Sequence, residues 1–123
     1  MTYYLHFEIK DLPKMANVAS GKSHWRYAHQ EATKWKDLVW GAVLEAGNSR
    51  PRKPLPKAIL HLVRYSSVEP DYDGLVRGFK SVVDGLVKCG VLINDKLSTT
   101  GPWICEWKKV KPKQGKIEVR VYS

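Results

Sequence analysis

The run from Ala58 to Tyr65 most narrows the folds open to this chain. Along it Ile59, His61 and Val63 alternate with Leu60, Leu62 and Arg64, so both faces of an extended segment are apolar except at His61 and Arg64. A strand that is apolar on both faces belongs inside a covered sheet and not at its rim. Three other segments can supply its neighbours. Tyr3 to Ile9 alternates Tyr3, Leu5, Phe7 and Ile9 on one side. Trp103 to Val110 and Lys116 to Tyr122 read as two late strands, the second with Ile117, Val119 and Val121 facing one way and Glu118 and Arg120 the other. One face of the sheet is therefore expected to be buried and the other wetted.

Two helical periodicities supply the cover. From His24 to Ala46, residues Ala28, Ala32, Trp35, Val39, Ala42 and Val43 recur at three- and four-residue spacing, with Gly47-Asn48 as a stop and Trp25, Trp40 and Leu44 off the stripe. A second helix is expected over Tyr72 to Cys89, closed by Gly90. Between these elements Lys14 to Ser23 lacks periodicity, and Ser49 to Lys57, with three prolines and four bases, reads as an extended basic linker. Lys96 to Pro102 reads as a polar loop, and Lys111 to Gly115 as a hairpin connection. The expected fold is α+β in the wider α/β class: one domain over residues 1–123, with a mixed four-stranded sheet and two main helices in the order β-α-β-α-β-β. A chain of 123 residues with 43% hydrophobic and 27% charged residues suits one such domain and excludes disordered and collagenous classes. The longest apolar stretch, Leu38 to Leu44, is too short to span a bilayer. The N-terminal residues do not form a basic segment followed by an apolar one, so a cytoplasmic protein with Cys89 and Cys105 as free thiols is expected.

The net charge of +9 points to a polyanionic partner. Bases cluster at Arg50, Arg52, Lys53 and Lys57 and again at Lys108, Lys109, Lys111, Lys113 and Lys116, with Lys14, Lys22 and Arg26 before and at the start of the first helix. Residues Glu69 to Asp95 reverse the sign: five acids face three bases there, leaving the window at −2 and the rest of the chain at +11. On a wheel of about 100° per residue with Asp73 at zero, Arg77 falls near 40°, Lys80 near −20° and Asp84 near 20°, opposite Leu75, Phe79, Val82 and Leu86. A solvated ribbon of ion pairs gives the same wheel. Asp71 and Asp73 at the helix start, with Asp95 after the following turn, suggest instead an oxygen-ligand site for a divalent cation. The helix is about 27 Å long, and Val91 to Asp95 extends back over roughly half of that. Packing or a second subunit has to close the remainder. Asp84, about 16 Å along the axis from Asp73, is too far to share an ion with it and reads either as the ion-pair partner of a base or as a residue that supports a metal ligand from behind.

Pro70-Asp71-Tyr72-Asp73-Gly74-Leu75, followed by Lys80, Asp84-Gly85-Leu86, Gly90-Val91 and Asn94-Asp95, resembles the signature of the RusA family of Holliday-junction resolvases, metal-dependent endodeoxyribonucleases of bacteria and their phages. Leu12-Pro13 through His24-Trp25-Arg26 into the Trp35-containing helix resembles the family's N-terminal segment. The resemblance implies that Asp71, Asp73 and Asp95 hold catalytic Mg²⁺, with Mn²⁺ as a substitute, and that a helix lysine assists at the scissile phosphate. Arg77 lies one turn after Asp73 and Lys80 one turn before Asp84; Lys80 keeps the residue type. Gly74 stands where the family often has Asn, and Asn94 replaces the first of two acids. The implied activity is resolution of four-way DNA junctions by paired symmetric nicks, carried out by a homodimer with no membrane association and no small-molecule cofactor. The basic residues Lys14, Lys22, Arg26, Arg50, Arg52, Lys53, Arg77, Lys108, Lys109, Lys111 and Lys113 would position the DNA backbone. The alternative is a non-catalytic, basic DNA-structure-binding protein or a degenerate resolvase.

Two other patterns are weaker. Pro70-Asp71 with Glu106-Trp107-Lys108 imitates another nuclease arrangement, which requires Glu106 to face the site of Asp71. The four histidines have no spacing typical of zinc, and Trp103 and Trp107, at i and i+4 on a strand, suit packing better than base stacking.

Overall fold

The computed structural model describes residues 3–14, 24–46 and 50–123, with the side chains of 24–28 outside that description. The elements run β1 (Tyr4–Ile9), α1 (His24–Glu45), β2 (Ile59–Ser66), α2 (Tyr72–Gly78), α3 (Lys80–Lys88), α4 (Leu97–Thr100), β3 (Ile104–Lys109) and β4 (Lys116–Tyr122). They form the expected α+β domain with one mixed sheet, ordered β1-β4-β2-β3. β4 is antiparallel to both β1 and β2, and β3 is parallel to β2.

β2 lies inside the sheet, as its two apolar faces require. Leu60 and Leu62 share the covered face with Leu5, Phe7 and Ile9 of β1 and Ile117, Val119 and Val121 of β4, and all eight are buried. Trp35, Val39 and Val43 of α1 and Val82 and Leu86 of α3, each 0% exposed, close that face. Burial of side chains of this size is worth about 1.5–3 kcal/mol each, before entropy is counted. Trp103 and Trp107 pack against the same core, with their indole N–H groups on Thr100 and Ser66 at 3.1 and 3.0 Å.

Three expectations need correction. The helix expected over Tyr72 to Cys89 is interrupted at Phe79, whose N–H bonds Val76 O three residues back (3.1 Å) while its buried ring enters the core. Gly78, a poor helix former, precedes the tightened turn. Lys111 to Gly115 is not a hairpin, because β2 lies between β3 and β4; the connection crosses the end of β2. The loop Lys96 to Pro102 contains the short helix α4. The basic linker is also anchored at one point: Leu55 forms a parallel bridge with Leu92, its N–H on Val91 O at 2.8 Å.

Candidate functional site

Asp71 has extended backbone and its Oδ1 accepts from Gly74 N at 2.8 Å, which makes it the N-cap of α2. A cap of this kind is worth about 1 kcal/mol, and Oδ2 stays clear of that bond. Asp73, one residue into the helix, forms an ion pair with Arg77. Lys80 opens α3 and holds two acids, Asp84 at 2.9 Å and Asp95. The stripe expected from the wheel therefore exists across the interruption at Phe79, and Asp84 is an ion-pair partner of Lys80.

Asp95 joins the stripe because the chain turns sharply after α3. Gly90 adopts φ +88°, a conformation glycine takes without steric cost, and Val91 N–H returns to Leu86 O at 2.9 Å. Buried Val91 and Leu92, bridged to Leu55, then direct the chain back beside α3. Asn94 fixes the next step: its Oδ1 accepts from Lys96 N (2.9 Å) and Thr99 Oγ1 (2.6 Å), setting the start of α4. The return covers about half of the α2–α3 length, which brings Asp95 to Lys80 within one chain. The Lys80 hydrogen bond lowers the Asp95 carboxyl from its ordinary value. Burial acts to lower the Lys80 ammonium, but its bonds to Asp95 and Asp84 outweigh this and raise it. Asp95 also opens onto a groove of about 380 Å³ between α2 and the 97–103 segment, lined by Tyr72, Val76, Thr100 and Trp103.

Asp71, Asp73 and Asp95 suit a hard cation by donor type, three carboxylates on an accessible surface. They do not form a group with ligand atoms within 4.8 Å of one another; among the described residues that arrangement occurs at His6, Glu8 and Glu118, on the open face of the sheet. Arg77 and Lys80 hold Asp73 and Asp95, so one cation shared by the three acids requires both bases to release them. The cluster on the open face is already matched by bases, with Lys116 on Glu8 at 3.2 Å and Arg120 on Glu118 at 2.8 Å. Strand alternation hints that these groups share a face; the β1–β4 register that brings Glu8 opposite Glu118 is not readable from local sequence. Glu106 lies on that open face, its Oε1 2.7 Å from His61 Nε2. It does not face the site of Asp71, which removes the second nuclease pattern.

The expected DNA-contact residues occupy separate regions. Arg52, Lys53, Arg77, Lys108, Lys109, Lys111, Lys113 and Lys14 are exposed. Arg50 stacks on Trp40, 4.8 Å from the ring centroid, and reaches Cys89 O at 3.4 Å beyond the end of α3. Lys108 and Lys109 lie on β3, the edge strand. Lys22 lies outside the described residues, and Arg26 belongs to α1 with its side chain outside that description. No described helix is long and apolar enough to cross a membrane. No protein-family model matches the chain, and a search of curated proteins gives no match.

Proposed function

We propose that the protein is a metal-dependent, structure-selective DNA endonuclease acting on four-way junctions as a homodimer. The observation that carries this reading is the return of Asp95 to Lys80, which sets a third acid beside the helical run that starts at Asp71 and Asp73 in a protein of net charge +9. Asp71, Asp73 and Asp95 would hold Mg²⁺, or Mn²⁺ in its place. The bound ion supplies Lewis-acid stabilisation of phosphate charge and an activated water. Lys80, once released from Asp95, can place its ammonium on a phosphate oxygen and stabilise charge that develops there. Arg77, released from Asp73, adds a second cation to the same stripe. The exposed bases at 50–53 and 108–113 bind the backbone without reading sequence. Two-fold symmetry would pair two such sites for cuts on two strands. The resemblance to the RusA resolvases is consistent with each of these roles.

The pairing of Asp73 with Arg77 and of Asp95 with Lys80 favours a second reading, a junction-binding protein whose acidic stripe is a surface ion-pair ribbon. A labelled four-way junction and a matched duplex, incubated with Mg²⁺ or with EDTA, separate the two. Paired nicks that require both Mg²⁺ and Asp73, tested with Asp73→Asn, support the nuclease. Binding without cleavage under every metal condition supports the binding protein.

A further inference from the structure

Arg64 is a buried charge with no ion-pair partner among the described residues. It lies on the covered face of β2, 8% exposed. Its Nη1 donates to Pro13 O at 2.8 Å, and its Nε is buried with no hydrogen-bond partner among the described residues. Burial lowers its basicity. A guanidinium carries five N–H donors, and leaving it desolvated and unpaired is costly. Such a group is retained most readily where an anion completes it.

The surroundings of Arg64 supply the rest of an anion site. It lines a cavity of about 180 Å³ with Leu12, Ser66, Ser67, Lys111 and Lys113. Lys111 and Lys113 bring two more cations over the same opening, and neither makes an ion pair among the described residues. The connection that carries them is shaped: Lys113 has φ 73°, and Gln114 N–H bonds Lys111 O at 3.1 Å. A Cβ on Gly115 would come within 2.6 Å of Leu12 Cδ1, so close packing fixes the connection against the floor of the cavity. The volume is below the range of about 300–1,000 Å³ usual for drug-sized ligands and suits a small ion.

We propose that this cavity beneath the β3–β4 connection binds a phosphate-type oxyanion, with Arg64 as its buried anchor and Lys111 and Lys113 as its rim. The oxyanion is either a backbone phosphodiester of bound DNA or a free phosphate. The first source rests on the DNA-binding reading above and the second does not. Arg64 presents the planar fork that matches two phosphate oxygens at once, while the lysines act as point charges.

The test has two arms. In the first, melting temperature is followed as inorganic phosphate is titrated against chloride at equal ionic strength, for the wild type, Lys111→Gln/Lys113→Gln and Arg64→Met. The wild type is expected to gain about 5 °C or more at saturation. The lysine double variant should retain less than half of that gain, and Arg64→Met none. Both lysines are exposed, so their variant keeps the test informative if Arg64→Met does not fold. In the second arm, binding of a labelled junction is measured in EDTA across a salt series. If DNA supplies the phosphate, the double variant binds about tenfold or more weakly, and its slope of log affinity against log salt falls by about two. Phosphate stabilisation that needs these residues, with unchanged DNA binding, supports the site and assigns it to free phosphate. Wild-type DNA binding with no Arg64-dependent phosphate effect and no change in the lysine variant overturns the site and leaves the nuclease reading untouched. Phosphate stabilisation without DNA binding overturns that reading and leaves the site standing.

Discussion

Asp95 carries more of the functional argument than its contribution to stability suggests. Its ion pair with Lys80 is exposed to solvent, where such pairs are worth about 0–1 kcal/mol. Asp95→Asn is therefore expected to change the unfolding midpoint little while reducing junction cleavage at least about 100-fold, if the carboxylate holds the ion as proposed. Urea unfolding and a cleavage time course on the same preparation measure both quantities; equal cleavage by wild type and variant removes Asp95 from the site. Glu118 is the opposite case, with an established structural environment and no assigned chemistry. It is buried and accepts from Tyr65 OH at 2.8 Å and Arg120 Nη2 at 2.8 Å, with His6 Nε2 at 2.7 Å. Burial acts to raise its carboxyl, but these partners outweigh it and hold the value below the ordinary 4.5. The stabilisation is thus fully present above about pH 4.5 and is lost as pH falls through the lower folded value. Glu118→Gln should cost about 1.5 kcal/mol or more near neutrality and flatten the loss of melting temperature below that pH. An acid limb of unchanged steepness would show that other carboxylates control it.

At the scale of elements, two glycines in helices predict opposite outcomes for one substitution. Gly85 of α3 lies where α3 crosses α1: a Cβ there would meet Val39 Cγ2 at 3.0 Å and the carbonyl oxygen of Trp35 at 3.3 Å. Val39 is fully buried and the second contact is backbone, so neither neighbour can yield without disturbing the crossing. Gly85→Ala gains about 1 kcal/mol of helix propensity and meets an overpacking cost of about 1–3 kcal/mol. The net expectation is a loss of stability. Gly41 of α1 has no neighbouring atom of the described residues within 4 Å of the same position, so Gly41→Ala should stabilise by about 1 kcal/mol. Denaturant midpoints of the two variants decide the matter, and a stabilised Gly85→Ala would show that the crossing is looser than these distances state. The buried stripe of α1 was legible in the sequence because Trp35, Val39 and Val43 repeat with the helical period. The close approach at Gly85 was not, since only the crossing itself explains why a small residue is needed there. The acidic stripe was legible for the same reason of period, whereas the interruption at Phe79 depends on how its ring enters the core.

The topology of the whole molecule is where local sequence is least informative. Alternation identified four strands and put β2 inside the sheet, because side-chain period and burial are local properties. It could not distinguish a hairpin from a crossover for Lys111 to Gly115, because both end in a Gly-containing turn between two strands that run in opposite directions. The difference lies in which strand fills the place beside β3, and that is β2, paired from His61↔Ile104 to Ser66↔Lys109. β4 instead pairs with β1 and β2. The connection must therefore cross two strand spacings, about 9.6 Å, and clear the end of β2 as it does so. A two-residue turn, fully extended, reaches about 10 Å, with nothing left for the detour. Replacing Lys111 to Gly115 with Asn-Gly, which favours a tight hairpin, should consequently prevent β4 from entering between β1 and β2. Its buried residues Ile117, Val119 and Val121 would lose their places in the core. The expected result is loss of cooperative thermal unfolding and collapse of amide dispersion in the NMR spectrum. A shortened protein that keeps its dispersion and melts at a higher temperature would mean that β3 and β4 are neighbours after all, and the strand order would have to be redrawn.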